Sequence, residues 1–221
     1  MITLYALKQS RAYRIAWLLE ILQLDYQAEI LTRHPDTLLA PESLRHIHPL
    51  GKSPIIQDDE VVLAESGAIV EYLLERYNTQ HTLKPRVGSE KWRDYLYWLH
   101  YAEGSLMPLL VMSLVFRRID DSPMPFLVKP VARKITANVR QSFLHPQLEL
   151  HLNHVERALE QKTWLLGDDL SGADIMMSFP LQAALSRATG QLPNIAAYVA
   201  RITEHPAYQR AETKLGQLDK L

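Results

Sequence analysis

The reading of the fold turns on the stretch His48-Pro49-Leu50-Gly51-Lys52-Ser53-Pro54-Ile55-Ile56-Gln57-Asp58-Asp59-Glu60-Val61-Val62-Leu63-Ala64-Glu65-Ser66-Gly67-Ala68-Ile69. Pro54 to Gln57 and Val61 to Ala64 are short β-forming runs, and the three acids Asp58-Asp59-Glu60 between them read as the turn of a β-hairpin. Ser66 then opens a helix whose buried stripe is Ile69, Val70, Leu73 and Leu74. Toward the N-terminus, Ile2 to Leu7 is an apolar strand, and Ser10 to Leu24 has helical spacing through Ile15, Leu18, Leu19 and Leu22. Tyr26 to Leu31 alternates with period two, a polar loop runs from Thr32 to Pro41, and a short helix is expected around Glu42 to Arg45. The order is βαβαββα, a compact mixed-sheet unit of the α/β class.

Beyond Tyr77 the pattern changes. Asn78 to Ser89 carries Pro85 and Gly88 with no apolar periodicity, and every periodic segment after it is helical. The expected organisation is an α/β domain at residues 1–79, a linker at 80–88 and an all-helical domain at 89–221. Trp92, Tyr95, Leu96, Leu99, Ala102, Leu106 and Leu109 mark a long helix that Pro108 should kink. Three prolines interrupt the pattern from Ile119 to Pro130. The prolines and cations between Pro123 and Arg140 fit either a docking surface or a solvated irregular segment. Leu148, Leu152, Val155 and Leu159 define a further helix. Ser171 and Asp174 spell a capping box in which the Ser171 hydroxyl accepts from the Asp174 amide and the Asp174 carboxylate accepts from the Ser171 amide, with Leu170 and Ile175 as the staple. It reads as a folding device.

Composition narrows the functional classes. The chain has 221 residues, 47% hydrophobic and 22% charged, within the range of a globular protein that buries a sizeable core. A net charge of -1 gives no footprint for nucleic acid or an anionic membrane, no apolar run suggests a bilayer span, and Met1 to Tyr5 has no basic leader. A cytoplasmic protein is expected. The absence of cysteine excludes disulfides, thiolate metal sites and any cysteine nucleophile, so sulfur chemistry would require sulfur on a ligand. His145, His151 and His154 lack an HExxH pattern and read as surface histidines; no metal is expected.

The βαβαββα order followed by helices, with Ser10-Arg11 entering helix 1, Trp17-Leu18-Leu19-Glu20 inside it, the His48 to Pro54 and Leu63 to Ile69 segments and the Ser171–Asp174 box, resembles the cytosolic glutathione S-transferase superfamily. The match runs nearly the full length and is weakest from Ile119 to Ser142. Ser10-Arg11-Ala12-Tyr13-Arg14 with Tyr101 to Leu106 is most similar to a serine-type subgroup found in fungi and bacteria. The resemblance implies a thioredoxin-like N-terminal domain that binds glutathione and a helical domain that forms an electrophile site and dimer contacts. It implies a detoxifying transferase, with glutathione as co-substrate, a small hydrophobic electrophile and a peroxidase side activity; a non-catalytic regulator or scaffold of the same fold is the alternative.

A thiol with a pKa near 8.5 is mostly protonated at neutral pH, and lowering it by about 2 units takes only ~2.7 kcal/mol. One charge-assisted hydrogen bond and a helix N-terminus supply that. As a bare residue Ser10 reads first as a helix N-cap; it is the resemblance that makes Ser10 the donor. Tyr5 is the rival hydroxyl, and a strand tyrosine also serves packing. Arg11 adds positive charge or is a solvated cation. The resemblance makes Pro54 cis, gives Ser53 main-chain bonds to the cysteinyl unit and turns Lys52 toward the glycyl carboxylate. It assigns Glu65 to the α-amine and Ser66, an N-cap, to the γ-glutamyl carboxylate, and brings Glu103 of a partner subunit toward that amine. As bare residues, Lys52 is equally an exposed loop lysine, Glu65 an acid favouring the helix dipole and Glu103 a helix-face glutamate. Tyr101, Met107, Met112 and Phe116 are candidate walls of the electrophile pocket, or core.

Overall fold

The computed structural model describes residues 1–79, 82–185 and 190–218. The elements run β1 (Ile2–Leu7), α1 (Ala12–Ile21), β2 (Tyr26–Leu31), α2 (Ser43–Ile47), β3 (Ile55–Asp58), β4 (Val61–Ala64) and α3 (Ser66–Tyr77). The sheet order is β2-β1-β3-β4, with β1 parallel to β2 and antiparallel to β3, and β3 antiparallel to β4. This is the βαβαββα domain expected from the alternating patterns, a thioredoxin-like arrangement. The hairpin turn is tighter than the acidic triplet suggests. Asp58 belongs to β3 opposite Val61, leaving Asp59 and Glu60 to turn. Asp58 is buried because its carboxylate accepts hydrogen bonds from the α3 hydroxyls of Tyr72 (2.8 Å) and Tyr77 (2.5 Å), which tie the hairpin to the helix.

The helical domain comprises α4 (Glu90–Tyr101), α5 (Met107–Asp121), α6 (Lys129–Val139), α7 (His145–Ala158), α8 (Gly172–Leu185), α9 (Pro193–Glu204) and α10 (Pro206–Leu215). α4 and α5 are one continuous run joined by a π-helical turn at Ala102–Leu106, where the Met107 amide bonds the Ala102 carbonyl. The ladder slips by one residue immediately before Pro108, whose missing N–H would otherwise leave a gap. The expected kink at Pro108 is therefore a change of helical pitch. The same device recurs at Arg140–Leu144, ahead of Pro146 at the start of α7. The 32-residue run Glu90–Asp121 is long and apolar enough to cross a membrane by length and composition, unlike the reading from sequence, but Tyr95, Trp98, Leu99 and Leu106 pack it into the core.

Two further expectations change. The stretch with many prolines and cations is irregular only from Pro123 to Val128; α6 forms from Lys129, with Pro130 in its first turn where no amide is needed. The connection after α3, of which residues 80–81 lie outside the described residues, is pinned: Leu83 is buried and its carbonyl accepts from the Gly172 amide at 2.9 Å, while Lys84 pairs with Glu71 and Glu75. Gly172 allows this junction, because a Cβ there would sit 2.7 Å from Leu74 Cδ1 and 2.9 Å from the Tyr95 hydroxyl.

Asp174 at the head of α8 is fully buried. Its carboxylate accepts from the Ser171 amide as the capping box requires (2.9 Å), and also from the Leu165 amide and the Tyr198 hydroxyl, each at 2.9 Å. The Ser171 hydroxyl reverses its expected role: it donates to Asp174 at 2.8 Å, while the Asp174 amide bonds the Ser171 carbonyl. Burial is the largest influence on this carboxyl and raises its pKa despite four donors. Asp174→Ala strands those donors in the core and is expected to cost about 3 kcal/mol or more, against about 1 kcal/mol for Ser171→Ala, in urea unfolding.

Asp58 behaves oppositely. Burial alone would raise its pKa, but the Tyr77 and Tyr72 hydroxyls and Arg76 hold it below the usual carboxylate range. A depressed folded pKa gives stability that is present above the unfolded value near 4 and lost as pH falls through the folded value. Unfolding of Asp58→Asn should show a flatter acid limb than the parent chain.

Candidate functional site

Three junctions of the N-terminal domain meet the helical domain at one cleft. The first is the turn from β1 to α1. Ser10 is buried; its hydroxyl donates to the Leu7 carbonyl at 2.7 Å and accepts from the Ala12 amide at 3.2 Å. Tyr5 is held elsewhere, its hydroxyl donating to Gln57 of β3 at 3.1 Å. The second is the loop before β3. The Ser53–Pro54 bond is cis, and Ser53 Oγ accepts from the Leu7 amide (2.9 Å) and donates to the Tyr5 carbonyl (3.2 Å). The Ser53 side chain thus fastens the loop to β1. Its own amide and carbonyl take no backbone partner among the described residues.

The third junction is β4 to α3. Glu65, not Ser66, occupies the cap position, in a positive-φ conformation (φ 73°) that a non-glycine residue rarely adopts. Ser66 is buried as the first helical residue. The first intrahelical bond runs from the Ile69 amide to the Glu65 carbonyl, so the amides of Ser66, Gly67 and Ala68 face forward without helical partners. Glu65 is exposed and forms no ion pair among the described residues.

Arg11, Arg33, Lys52, Ser53, Glu65 and Ser66 line a cleft of about 410 Å³, together with Pro54 and Glu103. Glu103 lies on the π turn of the helical domain and enters this cleft within its own chain. Its carboxylate accepts from Arg11 Nε at 3.0 Å and from Arg14 Nη1 at 2.8 Å. The expected service to a partner subunit is thus preceded by an intrachain one. Arg11 is likewise committed to Glu103. Arg14, on α1, is wholly buried, lies 5.6 Å from the Phe179 ring centroid, and has Nε and Nη2 without partners. Burial pulls its pKa down to about 10, opposed by the Glu103 charge.

A second, apolar cavity of about 180 Å³ opens beside the first and shares Arg11, Arg33 and Ser53 with it. Ser10 lies on its polar side; Met107, Leu110, Val111, Leu114 and Phe179 form the apolar side. Of the four proposed walls only Met107 is there. Tyr101 is buried among Trp98, His151 and His154, its hydroxyl 2.6 Å from His151 Nδ1. Met112 and Phe116 are half-buried and line neither cavity. The signal that was missed is helical period: 107, 110, 111 and 114 form one stripe, whereas 112 and 116 fall on another face. Arg33, a loop residue after β2, carried no pattern in the sequence. His151 and His154 contact Tyr101 and Tyr97, and among the described residues no cluster of three or more potential metal ligands occurs.

The comparisons with known proteins agree with this architecture. Residues 1–75 match the family model for the glutathione S-transferase N-terminal domain, and residues 140–206 match that for the C-terminal domain. The chain is 35% identical to glutathione S-transferase 1 of Saccharomyces cerevisiae, over 96% of this chain and 94% of the yeast protein. The crystal structure of a glutathione S-transferase from Actinobacillus pleuropneumoniae superposes with a TM-score of 0.82 at 39% identity, covering 99% of this chain and 95% of that one. A Phanerochaete chrysosporium glutathione transferase solved with oxidized glutathione shares the fold, with a TM-score of 0.75 at 19% identity, over 96% and 94% of the two chains. The protein belongs to the glutathione S-transferase family.

Removing one member of a buried ion pair leaves an uncompensated charge in the core. Glu103→Ala is therefore expected to destabilise the chain by about 3 kcal/mol in urea unfolding at neutral pH, with Glu103→Gln retaining part of the loss. Unchanged stability of Glu103→Ala would mean that Arg14 does not depend on it.

Proposed function

We propose that the protein is a serine-type glutathione transferase of the fungal and bacterial kind, which binds glutathione in the polar cleft and adds its thiolate to an apolar electrophile in the adjoining cavity. The observation that carries this reading is the cleft's sorted chemistry. Unpartnered main-chain groups of Ser53 follow a fastened loop, free amides stand at the head of α3 beside the unpaired Glu65 carboxylate, and Lys52 lines the same cleft. A tripeptide with two carboxylates, one ammonium and an extended cysteinyl unit matches that distribution.

Lys52 takes the glycyl carboxylate, Ser53 pairs with the cysteinyl main chain, and the Ser66 amide and hydroxyl take the γ-glutamyl carboxylate while Glu65 holds the amine. The sulfur then lies at the boundary of the two cavities, next to Ser10. Its hydroxyl turns from the Leu7 carbonyl to donate to the thiolate, and the N-terminus of α1 adds its dipole. Ser10 lines the apolar cavity, whereas Tyr5 lines neither cavity and spends its hydroxyl on Gln57, which favours Ser10 over Tyr5. The same thiolate reduces organic hydroperoxides when a second glutathione completes the disulfide. A cytoplasmic homodimer with a detoxifying role completes the proposal. A groove of about 570 Å³ between α3 and α4, bordered by Glu65 and Glu103, supports an approaching partner there.

Calorimetry with reduced glutathione, followed by ultraviolet titration of the bound thiol, tests the reading. Ser10→Ala should keep glutathione affinity within a few-fold while cutting turnover at neutral pH and raising the bound thiol's pKa; Tyr5→Phe should do neither. Glu65→Ala should abolish retention on immobilised glutathione. Loss of turnover in Tyr5→Phe alone would transfer the role to Tyr5, and a parent chain that binds no glutathione would favour the non-catalytic alternative.

A further inference from the structure

Two arginines, Arg33 on the lining of the apolar cavity and Arg118 on the helix that walls it, have no carboxylate partner among the described residues. Arg33 is half-buried on the cavity wall, and its Nη1 donates a long hydrogen bond of 3.4 Å to the Leu38 carbonyl. Arg118 sits on α5 one turn beyond Leu114, continuing the stripe through Met107, Leu110, Val111 and Leu114 that forms the apolar wall. Neither guanidinium enters an ion pair among the described residues, although most other cations near the domain junction do, including Arg11, Arg14 and Arg210.

The two cations come from different domains, Arg33 on the lining of the cavity and Arg118 on the helix that forms its apolar wall. Burial lowers the Arg33 pKa first, and the nearby positive charges of Arg118 and then Arg11 lower it further. Like charges converging on an apolar surface cost free energy in the empty chain, and an anion between them removes that cost. Arg11 differs from them in that its Nε already engages the Glu103 carboxylate. Planar guanidinium groups suit a carboxylate, which each can engage through paired N–H donors.

We infer that the electrophile site is built for amphipathic carboxylic acids, with the apolar body of the substrate against Met107, Leu110, Val111, Leu114 and Phe179 and its carboxylate held between Arg33 and Arg118. This inference deepens the transferase reading and rests on it. In the reaction the sulfur lone pair forms a C–S bond to the terminal carbon of an activated double bond. The π electrons move onto the activating carbonyl as an enolate, which takes a proton from water. The carboxylate is unchanged throughout, so its role is recognition alone.

Ethacrynic acid and its methyl ester carry the same electrophilic enone with and without a carboxylate, and they separate charge recognition from chemistry. The readout is the ratio of kcat/KM for the acid to that for the ester, at saturating glutathione and corrected for the uncatalysed reaction. In Arg33→Gln and in Arg118→Gln the ratio is expected to fall about tenfold, through KM for the acid, as suits loss of one charge-assisted contact. In the parent chain the ratio itself should decline as salt is raised, and this salt dependence should be smaller in either variant. Arg118 is exposed, so its variant reports even if Arg33→Gln folds poorly. A ratio within twofold of the parent in both variants overturns the inference. So does a raised KM for glutathione in Arg33→Gln with the ratio unmoved, since Arg33 would then serve the peptide. A parent chain that binds no glutathione in calorimetry overturns the transferase reading and this inference with it, whereas bound glutathione with an unmoved ratio overturns the inference alone.

Discussion

A guanidinium sealed from solvent must find its counter-charge inside the protein, and Arg14 finds it in Glu103. That constraint organises the molecule. Arg14 projects from the first helix of the α/β domain, and Glu103 from the π turn of the helical domain, so their 2.8 Å contact fixes one domain against the other. The π turn is needed because Pro108 follows it, and the slipped ladder alters the angular position of the residues around it. Glu103 also holds Arg11, so one carboxylate pairs with two cations, and Arg11 lines both cavities. An ion pair of this kind adds less to stability than its geometry suggests, since burying the charges offsets much of their attraction. Its larger effect is to permit only one seating of the domains.

On the other side of α1, Trp17 does with shape what Arg14 does with charge. It is fully buried, lies edge-on to Tyr208 at 5.7 Å, and is tilted against Trp164 at 6.5 Å. Glu20 accepts from Arg210 and Lys214 of α10. α1 is thus buried on nearly every face, against the sheet and against the helical domain together. The loop that precedes it, with Ser10, inherits this rigidity. A group meant to orient one hydrogen bond toward sulfur benefits from a scaffold with so few alternatives.

The fold was legible because its signals are local and repeated: period-two runs for β1 and β2, an acidic turn for the hairpin, and apolar stripes for α3, α4 and α7. Where the reading slipped, a tertiary partner decided. Asp58 joins the strand because two tyrosines nineteen and fourteen residues away reach it. Ser171 reverses its hydrogen bond because Asp174 is drawn inward by Leu165 and Tyr198. α6 was hidden by prolines that, in a first turn, start a helix instead of stopping one. Among the candidate site residues, Ser53, Glu65 and Ser66 stand at one cleft with motifs that sequence carries openly. Arg33 and the Leu110–Leu114 stripe do not, since a loop cation has no pattern and a helix lining a cavity has the same period as one lining a core.

The chain has no cysteine, and this shapes the proposed chemistry from the outset. A resident thiol can be tuned by burial, but a borrowed one arrives with the charges of its carrier and must be seated by matching them. In the proposed chemistry the polar cleft performs that seating and the adjoining cavity receives the second reactant. Ser53, fastened to β1, lines both and so marks the partition between them. A thiolate at that partition keeps its hydrogen bond from the polar side while meeting its target on the dry side, where a less hydrated sulfur is the stronger nucleophile. In the inferred mode of electrophile binding, the positive charge of Arg33 on the cavity lining and of Arg118 on the helix that walls it completes the asymmetry. An electrophile anchored there by an anionic tail presents its opposite, uncharged end to the sulfur, and orientation within the cavity follows from charge at one end and reactivity at the other.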